Sequence, residues 1–292
     1  MSNGIQILVT GAGGQLGSEL KYLSAEYSNL DFYFRSSAEL DVTDAYAMEH
    51  ALSAREYDFL INCSAYTAVD KAESDLDRAF AINATAAGDL SVACAKHNVK
   101  FIHISTDFVF DGKSNRPYLE TDEVHPIGVY GASKEQGERL VLEASPDALV
   151  IRTSWLYSSF GGNFVKTMRR LGSERSELKV IFDQVGTPTY ARDLARIILE
   201  SIQSGKIAST SGLFHFSNEG VASWYDFAIA IMEMSKLSCS VLPINTYEYP
   251  TPAQRPHYSV LDKRKIKEAL GISIPYWRDS LKTCIQTLEN EK

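Results

Sequence analysis

Apolar runs rich in β-branched residues alternate with amphipathic stretches along the first half of the chain. Such short runs are typical of strands buried in a parallel sheet, and they occur at residues 5–10, 31–35, 58–62, 100–105 and 148–152. Helical periodicity fills the intervals, beginning near Ser18 and Asp44, extending over residues 75–96, and beginning again near Tyr130. The alternation predicts an α/β fold with a doubly wound parallel sheet, the Rossmann class.

The pattern changes after Arg152. Proline, tyrosine and glycine become frequent, and helical stretches over 191–201 and 224–234 are separated by irregular segments such as 249–256. We therefore expect residues 1–152 to form a dinucleotide-binding domain. Residues 153–292 are predicted to form mainly a smaller C-terminal substrate-binding portion, some elements of which return to the core.

A glycine-rich turn, residues 11–17, follows the first strand. Its spacing is G-x-x-G-x-x-G rather than G-x-G-x-x-G, because Leu16 stands where the last glycine would fall. Glycine lets the backbone approach a ligand closely, and the following helix start favours a pyrophosphate. A turn that only caps a helix is the alternative. The strand–turn–helix order favours a dinucleotide site, and the predicted cofactor contacts are Gly11, Gly14, Gln15, Leu16 and Gly17.

Composition narrows the class of protein. The chain has 292 residues, of which 45% are hydrophobic, and this is enough for a full core. Its net charge of −8 disfavours binding to nucleic acid or to an anionic membrane, because no basic surplus can replace phosphate counterions. A phosphate-bearing ligand must therefore be held by local donors.

Cysteine usage and the N-terminus bear on the compartment. Cys63, Cys94, Cys239 and Cys284 lie far apart, without a C-x-x-C pair or histidines at zinc-ligand spacing, so we interpret them as reduced core thiols. Residues 1–4 lead directly into the first strand without an apolar leader, and no apolar run is long enough to span a bilayer. The sequence therefore predicts a cytoplasmic protein.

The candidate chemistry follows the fourth strand, because ligands of open α/β sheets gather at the carboxyl ends of the strands. Tyr130 and Lys134 are four residues apart, which places both side chains on one face of a helix. We expect the Lys134 ammonium to lower the pKa of Tyr130. Tyr130 would then protonate a carbonyl oxygen that receives a hydride, while Thr106 hydrogen-bonds the same oxygen. An isolated Tyr-x-x-x-Lys pair is usually a solvated helix face, but here it accompanies the glycine turn.

Several segments together carry a family resemblance. They are residues 10–17, 65–73, 105–112, 130–134, 152–155, 163–165, 183–189, 224–227 and 255–256. Over nearly its whole length the chain resembles the extended short-chain dehydrogenase/reductase family, and within it a subgroup of nucleotide-sugar reductases. The resemblance implies NADPH-dependent reduction of the 4-keto group of dTDP-4-dehydro-6-deoxy-L-mannose to dTDP-L-rhamnose.

The resemblance also implies roles for individual residues. Tyr130 would donate the proton, and Lys134 would assist it and bind the nicotinamide ribose. Thr106 would orient the substrate. Asp107 and Trp155 match sugar contacts of the family, although Trp155 by itself would equally suit a core aromatic.

Further contacts to the cofactor are carried over in the same way. Ala65, Tyr66 and Thr67 are expected to lie along it, and Asp41 and Val42 near its adenine. A bound Mg²⁺ and a homodimer are also compatible with the family, but no carboxylate cluster has a spacing that assigns a metal site. The expected partner is a nucleotide-sugar substrate, with neither nucleic acid nor a membrane.

Two arginines are candidates for phosphate groups. Arg35 ends the second strand, where NAD-specific folds carry an acidic residue, and with Ser36 and Ser37 it would accept a 2′-phosphate. We therefore predict a preference for NADPH, with NADH as a second cofactor that the family tolerates. Arg255 would hold the nucleotide diphosphate in bidentate fashion or, equally, a carboxylate.

Two other functions stay open on the sequence. A nucleotide-sugar dehydratase or epimerase shares the fold and the Tyr–Lys pair, but dehydratases of this group typically carry glutamate where this chain has Phe108. A non-catalytic regulatory subunit, like that of methionine adenosyltransferase, would be favoured if Tyr130, Lys134 or Thr106 were absent. All three are present.

Overall fold

A computed structural model describes residues 4–290, and the prediction made for residues 1–3 lies outside this range. The strands are β1 (Ile5–Thr10), β2 (Leu30–Arg35), β3 (Phe59–Asn62), β4 (Lys100–Thr106), β5 (Leu149–Thr153), β6 (Leu156–Tyr157), β7 (Glu177–Ile181), β8 (Val185–Gly186), β9 (Thr189–Tyr190), β10 (Gly212–His215), β11 (Ala222–Ser223) and β12 (Ser240–Ile244). The helices are α1 (Gln15–Leu23), α2 (Ala45–Ser53), α3 (Val69–Ala72), α4 (Leu76–Phe80), α5 (Ala86–Lys96), α6 (Val129–Ala144), α7 (Phe164–Glu174), α8 (Ala191–Gln203), α9 (Trp224–Met234), α10 (Arg264–Leu270) and α11 (Trp277–Asn290). All five predicted strands are present, each within one residue of its predicted ends.

Six parallel strands form the central sheet in the order β2-β1-β3-β4-β5-β10. Alternate residues of β1 enter different cores, Ile7 and Val9 on one face and Leu8 on the other, so the sheet is covered on both faces. The predicted doubly wound α/β fold is confirmed. The order reverses between β1 and β3, where a ligand crevice is expected.

Part of the second half of the chain packs on this sheet. Strand β10 pairs with β5, and α8 packs on α1. Ile198 and Leu270 share a core with Ile7. A separate core surrounds Phe227 and Trp277 and unites α7, α9 and α11. The predicted domain boundary near residue 153 stays a prediction.

The helix predicted over residues 75–96 contains an irregularity. Helices α4 and α5 are joined by a π-helical turn, Ala81–Thr85. Asn83 lies in this turn, and its side chain accepts the Tyr66 N–H at 2.8 Å and donates to the Tyr66 carbonyl at 3.1 Å. Single π turns often occur at functional sites because they redirect a side chain without ending the helix.

The cysteines are free thiols, as the sequence analysis expected. Cys94, Cys239 and Cys284 are buried, and Cys63 is half-buried. Desolvation raises the pKa of Cys63 to about 12, which disfavours thiolate chemistry there. None of the helices between residues 4 and 290 combines the length and the apolarity needed to cross a bilayer.

Helix α6 lies close to its neighbours because two of its residues are glycines. A Cβ at Gly131 would stand 2.2 Å from the carbonyl oxygen of Phe108, and one at Gly137 would stand 2.0 Å from that of Asn83. Both obstacles are backbone atoms, which cannot rotate away. The two glycines therefore set the distance of α6 from the end of β4 and from the π-helical turn.

We predict that Gly137→Ala lowers the free energy of unfolding by about 1–3 kcal/mol, because the added methyl group must displace the backbone at Asn83. Gly162→Ala is the matched control, since no atom lies within 4 Å of a Cβ placed there. Urea denaturation of both variants measures the difference. Equal stability of the two variants would show that the contact at Gly137 does not constrain α6.

Candidate active site

The carboxyl ends of β1, β4 and β5 lie at one edge of the sheet, and the segments that follow them converge there. β1 leads into the glycine turn, β4 into Thr106 and Asp107, and β5 into Trp155. Thr106 pairs in register with Thr153 on the neighbouring strand. Thr106, Asp107 and Trp155 therefore lie at the carboxyl ends of two neighbouring strands.

The glycine turn is folded too tightly for other residues at two positions. Gly11 has a φ of +66°, and a Cβ there would stand 2.6 Å from the backbone of Cys63 at the end of β3. A Cβ at Gly17 would stand 2.6 Å from Cα of Ala12. The turn thus brings α1 against the switch point of the sheet, as a pyrophosphate site requires.

Helix α1 begins at Gln15, three residues before the predicted start, and its N-cap residue Gly14 makes no side-chain capping bond. Its first N–H groups therefore suit a dinucleotide phosphate. The side chains of Gln15 and Leu16 do not face this phosphate position. Gln15 bonds to the Leu156 carbonyl and to Asn163, and Leu16 is buried. A contact from Gln15 or Leu16 to the cofactor would come from the backbone.

Arg35 ends β2 with an exposed side chain. Its guanidinium donates to the Phe34 carbonyl at 3.3 Å and forms no ion pair within residues 4–290. The N–H and hydroxyl of Ser36 both donate to the Glu39 carboxylate, at 2.8 and 2.7 Å. Arg35 is thus available to an anion, whereas Ser36 is engaged by Glu39.

The two residues predicted near the adenine differ in exposure. Asp41 is exposed, and its carboxylate accepts the N–H and the hydroxyl of Thr43 at 2.9 and 2.8 Å. Val42 is buried in the core beside α2 and α5. The adenine contact stays a prediction for both.

Residues 65–67, which are predicted to lie along the cofactor, are held by hydrogen bonds with Asn83 and Asp75. Asn83 binds the backbone of Tyr66, and the Tyr66 hydroxyl donates to Asp75 at 3.0 Å. Ala65 is half-buried, and Thr67 is exposed. The segment is therefore braced by the π-helical turn and keeps exposed surface for a ligand.

Tyr130 lies in the first turn of α6, and Lys134 lies one turn later. Lys134 is 1% exposed, and its Nζ donates to the Ile104 carbonyl at 2.7 Å and lies 3.2 Å from Nε2 of His103. Desolvation lowers the pKa of Lys134 to about 8. The Tyr130 ring packs edge-on against Phe108, with a centroid distance of 5.5 Å.

The expectation that Lys134 lowers the pKa of Tyr130 is wrong for this structure. Desolvation raises the pKa of Tyr130 to about 12, and hydrogen bonding with Thr106 opposes the rise only in part. The amine of Lys134 bonds to β4 instead, and burial weakens its own charge. A phenol with this pKa is protonated near neutral pH, which is the form that donates a proton.

Thr106 and Asp107 form a buried polar pair beside Tyr130. The Thr106 hydroxyl donates to Oδ1 of Asp107 at 3.0 Å and accepts the Phe108 N–H at 3.2 Å. Oδ2 of Asp107 is buried without a hydrogen-bond partner in the described part of the chain. Desolvation raises the pKa of Asp107 to about 6, and the hydrogen bond from Thr106 opposes this rise only in part. An unsatisfied buried carboxyl oxygen suits a ligand that supplies hydroxyl groups.

Trp155 has a left-handed backbone, with a φ of +47°, which is rare for a bulky residue. Its half-buried ring stacks on Trp224 with a centroid distance of 3.6 Å and an interplanar angle of 5°. Gly186 leaves room for the ring, since a Cβ there would stand 2.7 Å from Cε2 of Trp155. Strain of this kind clusters at ligand sites and favours the predicted sugar contact over a core role.

Arg255 holds a carboxylate in this structure. Its Nη1 and Nη2 donate to the two oxygens of Asp70 at 3.0 and 2.8 Å, a bidentate pair. Nη1 also donates to the hydroxyl of Thr251 at 2.6 Å. The second of the two alternatives for Arg255 is therefore observed, and the diphosphate contact stays a prediction that requires release of Asp70.

A buried ion pair behind the predicted catalytic residues was not foreseen from the sequence. Glu138 follows Lys134 by one turn on the same face of α6, and its two oxygens accept from Nε and Nη2 of Arg152 at 2.8 and 2.6 Å. The hydroxyl of Ser105 also donates to Glu138. The signal was present in the spacing, since Tyr130, Lys134 and Glu138 recur every four residues.

Three further polar residues were missed because apolar patterns surround them. They are Asn62 at the end of β3, Asn83 in the π-helical turn and His103 within β4. Each has at most 2% of its surface exposed. A buried polar side chain inside an apolar run is itself a sign of a specific hydrogen-bond network.

Known proteins resemble this chain in sequence and in structure. It matches the family described as RmlD substrate binding domain over residues 5–290. It is 39% identical over 281 residues to the spore coat polysaccharide biosynthesis protein SpsK of Bacillus subtilis, covering 96% of this chain and 97% of that protein. It is 40% identical over 285 residues to dTDP-4-dehydrorhamnose reductase of Aggregatibacter actinomycetemcomitans, covering 95% of this chain and 97% of that protein. The crystal structure of dTDP-4-dehydrorhamnose reductase from Bacillus anthracis in complex with NADP superimposes with a TM-score of 0.91, at 37% identity, over 99% of this chain and 100% of that chain.

The raised pKa of Asp107 predicts a dependence of stability on pH. A carboxyl that holds its proton more tightly in the folded state stabilises the fold at low pH, and this contribution is lost as the pH rises through about 6. Asp107→Asn should therefore raise the free energy of unfolding by roughly 1–3 kcal/mol at about pH 8, with no gain near pH 4. Urea denaturation at a series of pH values measures the difference.

Asp122→Asn is the control with the opposite sign. The Arg116 guanidinium holds the pKa of Asp122 below its usual range, so this variant should lose stability at pH values above that range. A gain for Asp107→Asn that is the same at both ends of the pH series would contradict the assignment.

Proposed function

The chain belongs to the family described as RmlD substrate binding domain, and on this premise we propose that it has dTDP-4-dehydrorhamnose reductase activity. The reaction is the NADPH-dependent reduction of the 4-keto group of dTDP-4-dehydro-6-deoxy-L-mannose to dTDP-L-rhamnose. The observation that carries the proposal is the convergence of Thr106, Tyr130 and Lys134 beside a glycine turn suited to a dinucleotide. Relatives named for this activity match nearly the whole chain and support it.

Tyr130, Thr106 and Lys134 would each have a separate role in the reduction. Bound NADPH supplies the hydride that reaches the keto carbon. Negative charge develops on the carbonyl oxygen, and the Tyr130 phenol donates its proton to that oxygen. The Thr106 hydroxyl, which donates to Asp107 in this structure, would turn to the same oxygen. In its ammonium form, Lys134 would stabilise the phenolate that Tyr130 becomes.

Asp107 and Trp155 are proposed as contacts to the sugar. The unpaired Oδ2 of Asp107 would accept a sugar hydroxyl, and the indole of Trp155, held by stacking on Trp224, would cover an apolar face of the ring. Arg255 is proposed to bind the diphosphate after it exchanges the Asp70 carboxylate for phosphate oxygens.

The two rival functions have less support. Phe108 lies against Tyr130 where a dehydratase would need a second ionisable group, so elimination of water would lack its base. A regulatory subunit would need neither the protonated phenol of Tyr130 nor the buried amine of Lys134 in the first turns of α6. Turnover of NADPH with a keto-sugar separates all three functions.

We expect the purified protein to consume one NADPH for each keto-sugar that it converts, with dTDP-L-rhamnose as the product. Tyr130→Phe should lower kcat/KM by roughly 10²–10⁴-fold, since the proton donor is lost, while binding of NADPH is retained. The measurement is the loss of NADPH absorbance with dTDP-4-dehydro-6-deoxy-L-mannose, together with identification of the product.

Tyr57→Phe is the matched control. Tyr57 precedes β3, at the amino ends of the strands and away from the site, so its change should leave kcat/KM unaltered. Conversion of the sugar without net consumption of NADPH would favour an epimerase or dehydratase. Binding of NADPH without any turnover, together with capture of a stable partner protein, would favour the regulatory subunit. Near-normal rates for Tyr130→Phe would exclude Tyr130 as the proton donor.

Arg35 is proposed to select NADPH by binding its 2′-phosphate. The exposed guanidinium at the end of β2 and the NADP bound by the Bacillus anthracis relative support this choice. Arg35→Ala should lower the ratio of kcat/KM for NADPH to that for NADH by about tenfold or more, because a charge-assisted hydrogen bond is lost. Arg55→Ala, at the other edge of the sheet, should leave the ratio unchanged. An unchanged ratio in Arg35→Ala would assign the selection to another residue.

The family resemblance also supports a bound Mg²⁺, a homodimer and a cytoplasmic location as proposals. Among residues 4–290, no group of three or more His, Cys, Asp or Glu side chains is arranged to hold a metal ion. A ligand set for Mg²⁺ is therefore not assigned.

A further inference from the structure

A row of buried polar side chains crosses the sheet beneath the glycine turn. It consists of Thr10 on β1, Asn62 on β3 and His103 on β4, and it ends at Lys134 on α6, with no member more than 2% exposed. Thr10 pairs in register with Asn62, and Asn62 pairs with His103, so the three side chains are neighbours on one face. The row connects the strand that leads into the glycine turn to the predicted catalytic residue Lys134.

The orientation of the Asn62 amide is set by a donor that cannot reverse. Oδ1 of Asn62 accepts the Thr10 hydroxyl at 2.8 Å and the backbone N–H of Ser64 at 3.0 Å. The hydroxyl can rotate to accept instead, but the backbone N–H can only donate. Oδ1 must therefore stay on that side, and the Nδ2 amide group faces Nδ1 of His103 at 3.1 Å.

This amide decides which nitrogen of His103 carries the proton. Since Nδ2 of Asn62 only donates, Nδ1 of His103 accepts, and in the neutral ring the proton is on Nε2. Nε2 lies 3.2 Å from Nζ of Lys134. An ammonium has no lone pair for that N–H group, whereas an uncharged amine accepts it and still donates to the Ile104 carbonyl at 2.7 Å.

We propose that His103 is a positioning residue, held by Asn62 in the tautomer that turns an N–H toward Lys134 and thereby favours the uncharged amine over the ammonium. In the catalytic cycle, this contact between His103 and Lys134 would set the pH above which Lys134 is uncharged and no longer stabilises the Tyr130 phenolate. This functional part rests on the proposed reductase activity, but the tautomer does not.

The electrostatic surroundings agree with this assignment. Burial and the neighbouring Lys134 hold the pKa of His103 well below its usual value, which keeps the ring neutral. Glu138 is the charge that acts on Lys134 in the opposite direction, and Arg152 and Ser105 already occupy its oxygens. The titratable or charged groups facing this region are Tyr130 and Glu138 on α6, His103 on β4, Asp107 after β4, Arg152 on β5 and Glu73 after α3, whose carboxylate accepts the Val129 N–H at the start of α6.

The test of the tautomer needs no substrate or cofactor. Nitrogen-15 NMR of the full chain, labelled at histidine, should show an unprotonated Nδ1 and a protonated Nε2 for His103 from about pH 6 to 9. Asn62→Asp should reverse the tautomer, because a carboxylate still accepts from Thr10 and Ser64 and also accepts from Nδ1. Thr10→Val is the matched control and should preserve the wild-type tautomer, since the Ser64 N–H remains.

A protonated Nδ1 in the wild-type protein would overturn the proposal, as would an unchanged tautomer in Asn62→Asp. The readout in catalysis is the pH profile of kcat/KM for keto-sugar reduction. The alkaline limb should move upward by about one pH unit in Asn62→Asp, because Nε2 then accepts from the ammonium. A uniform loss of activity without movement of the limb would reduce His103 to a structural role. Absence of any turnover by the wild type would refute the proposed function and leave the NMR result standing.

Discussion

The buried ion pair between Glu138 and Arg152 is the interaction on which the site depends. It joins α6 to β5, with side chains that are 6% and 4% exposed. Two opposite charges in the interior stabilise each other only while both are present, and removal of one partner of such a pair costs about 3–5 kcal/mol. Helix α6 is thereby held at one rotation about its axis. Tyr130 and Lys134 share the face of Glu138, so the same pair turns them toward β4.

Close packing then determines the protonation of the site. Gly131 and Gly137 allow α6 to approach the neighbouring backbone, and the approach removes water from Tyr130 and Lys134. Desolvation disfavours the charged form of each group, so it raises the pKa of the phenol and lowers that of the amine. The consequence is that the phenol proposed as the proton donor carries its proton at neutral pH, as a reductase requires. Lys134 is the group whose charge changes near neutral pH, and His103 lies close enough to influence that charge.

The second half of the chain supplies the groups that would contact a substrate. Trp155 follows β5 in a strained conformation, and its ring stacks on Trp224 of α9. A further buried pair, Glu19 with Arg192, ties α1 to α8. The cofactor turn and the proposed sugar contacts are therefore parts of one packed structure, although they are far apart along the chain.

Local pattern was enough to predict five of the six central strands, the glycine turn and the Tyr130–Lys134 pair, because strand and helix periodicity and four-residue spacing are properties of neighbouring residues. Tertiary structure alone decided that Arg255 binds Asp70, that Asn62 orients His103, and that the pKa of Tyr130 rises rather than falls. These outcomes depend on distances between residues far apart in sequence and on the water that packing removes. Neither quantity is contained in the order of residues along a single segment.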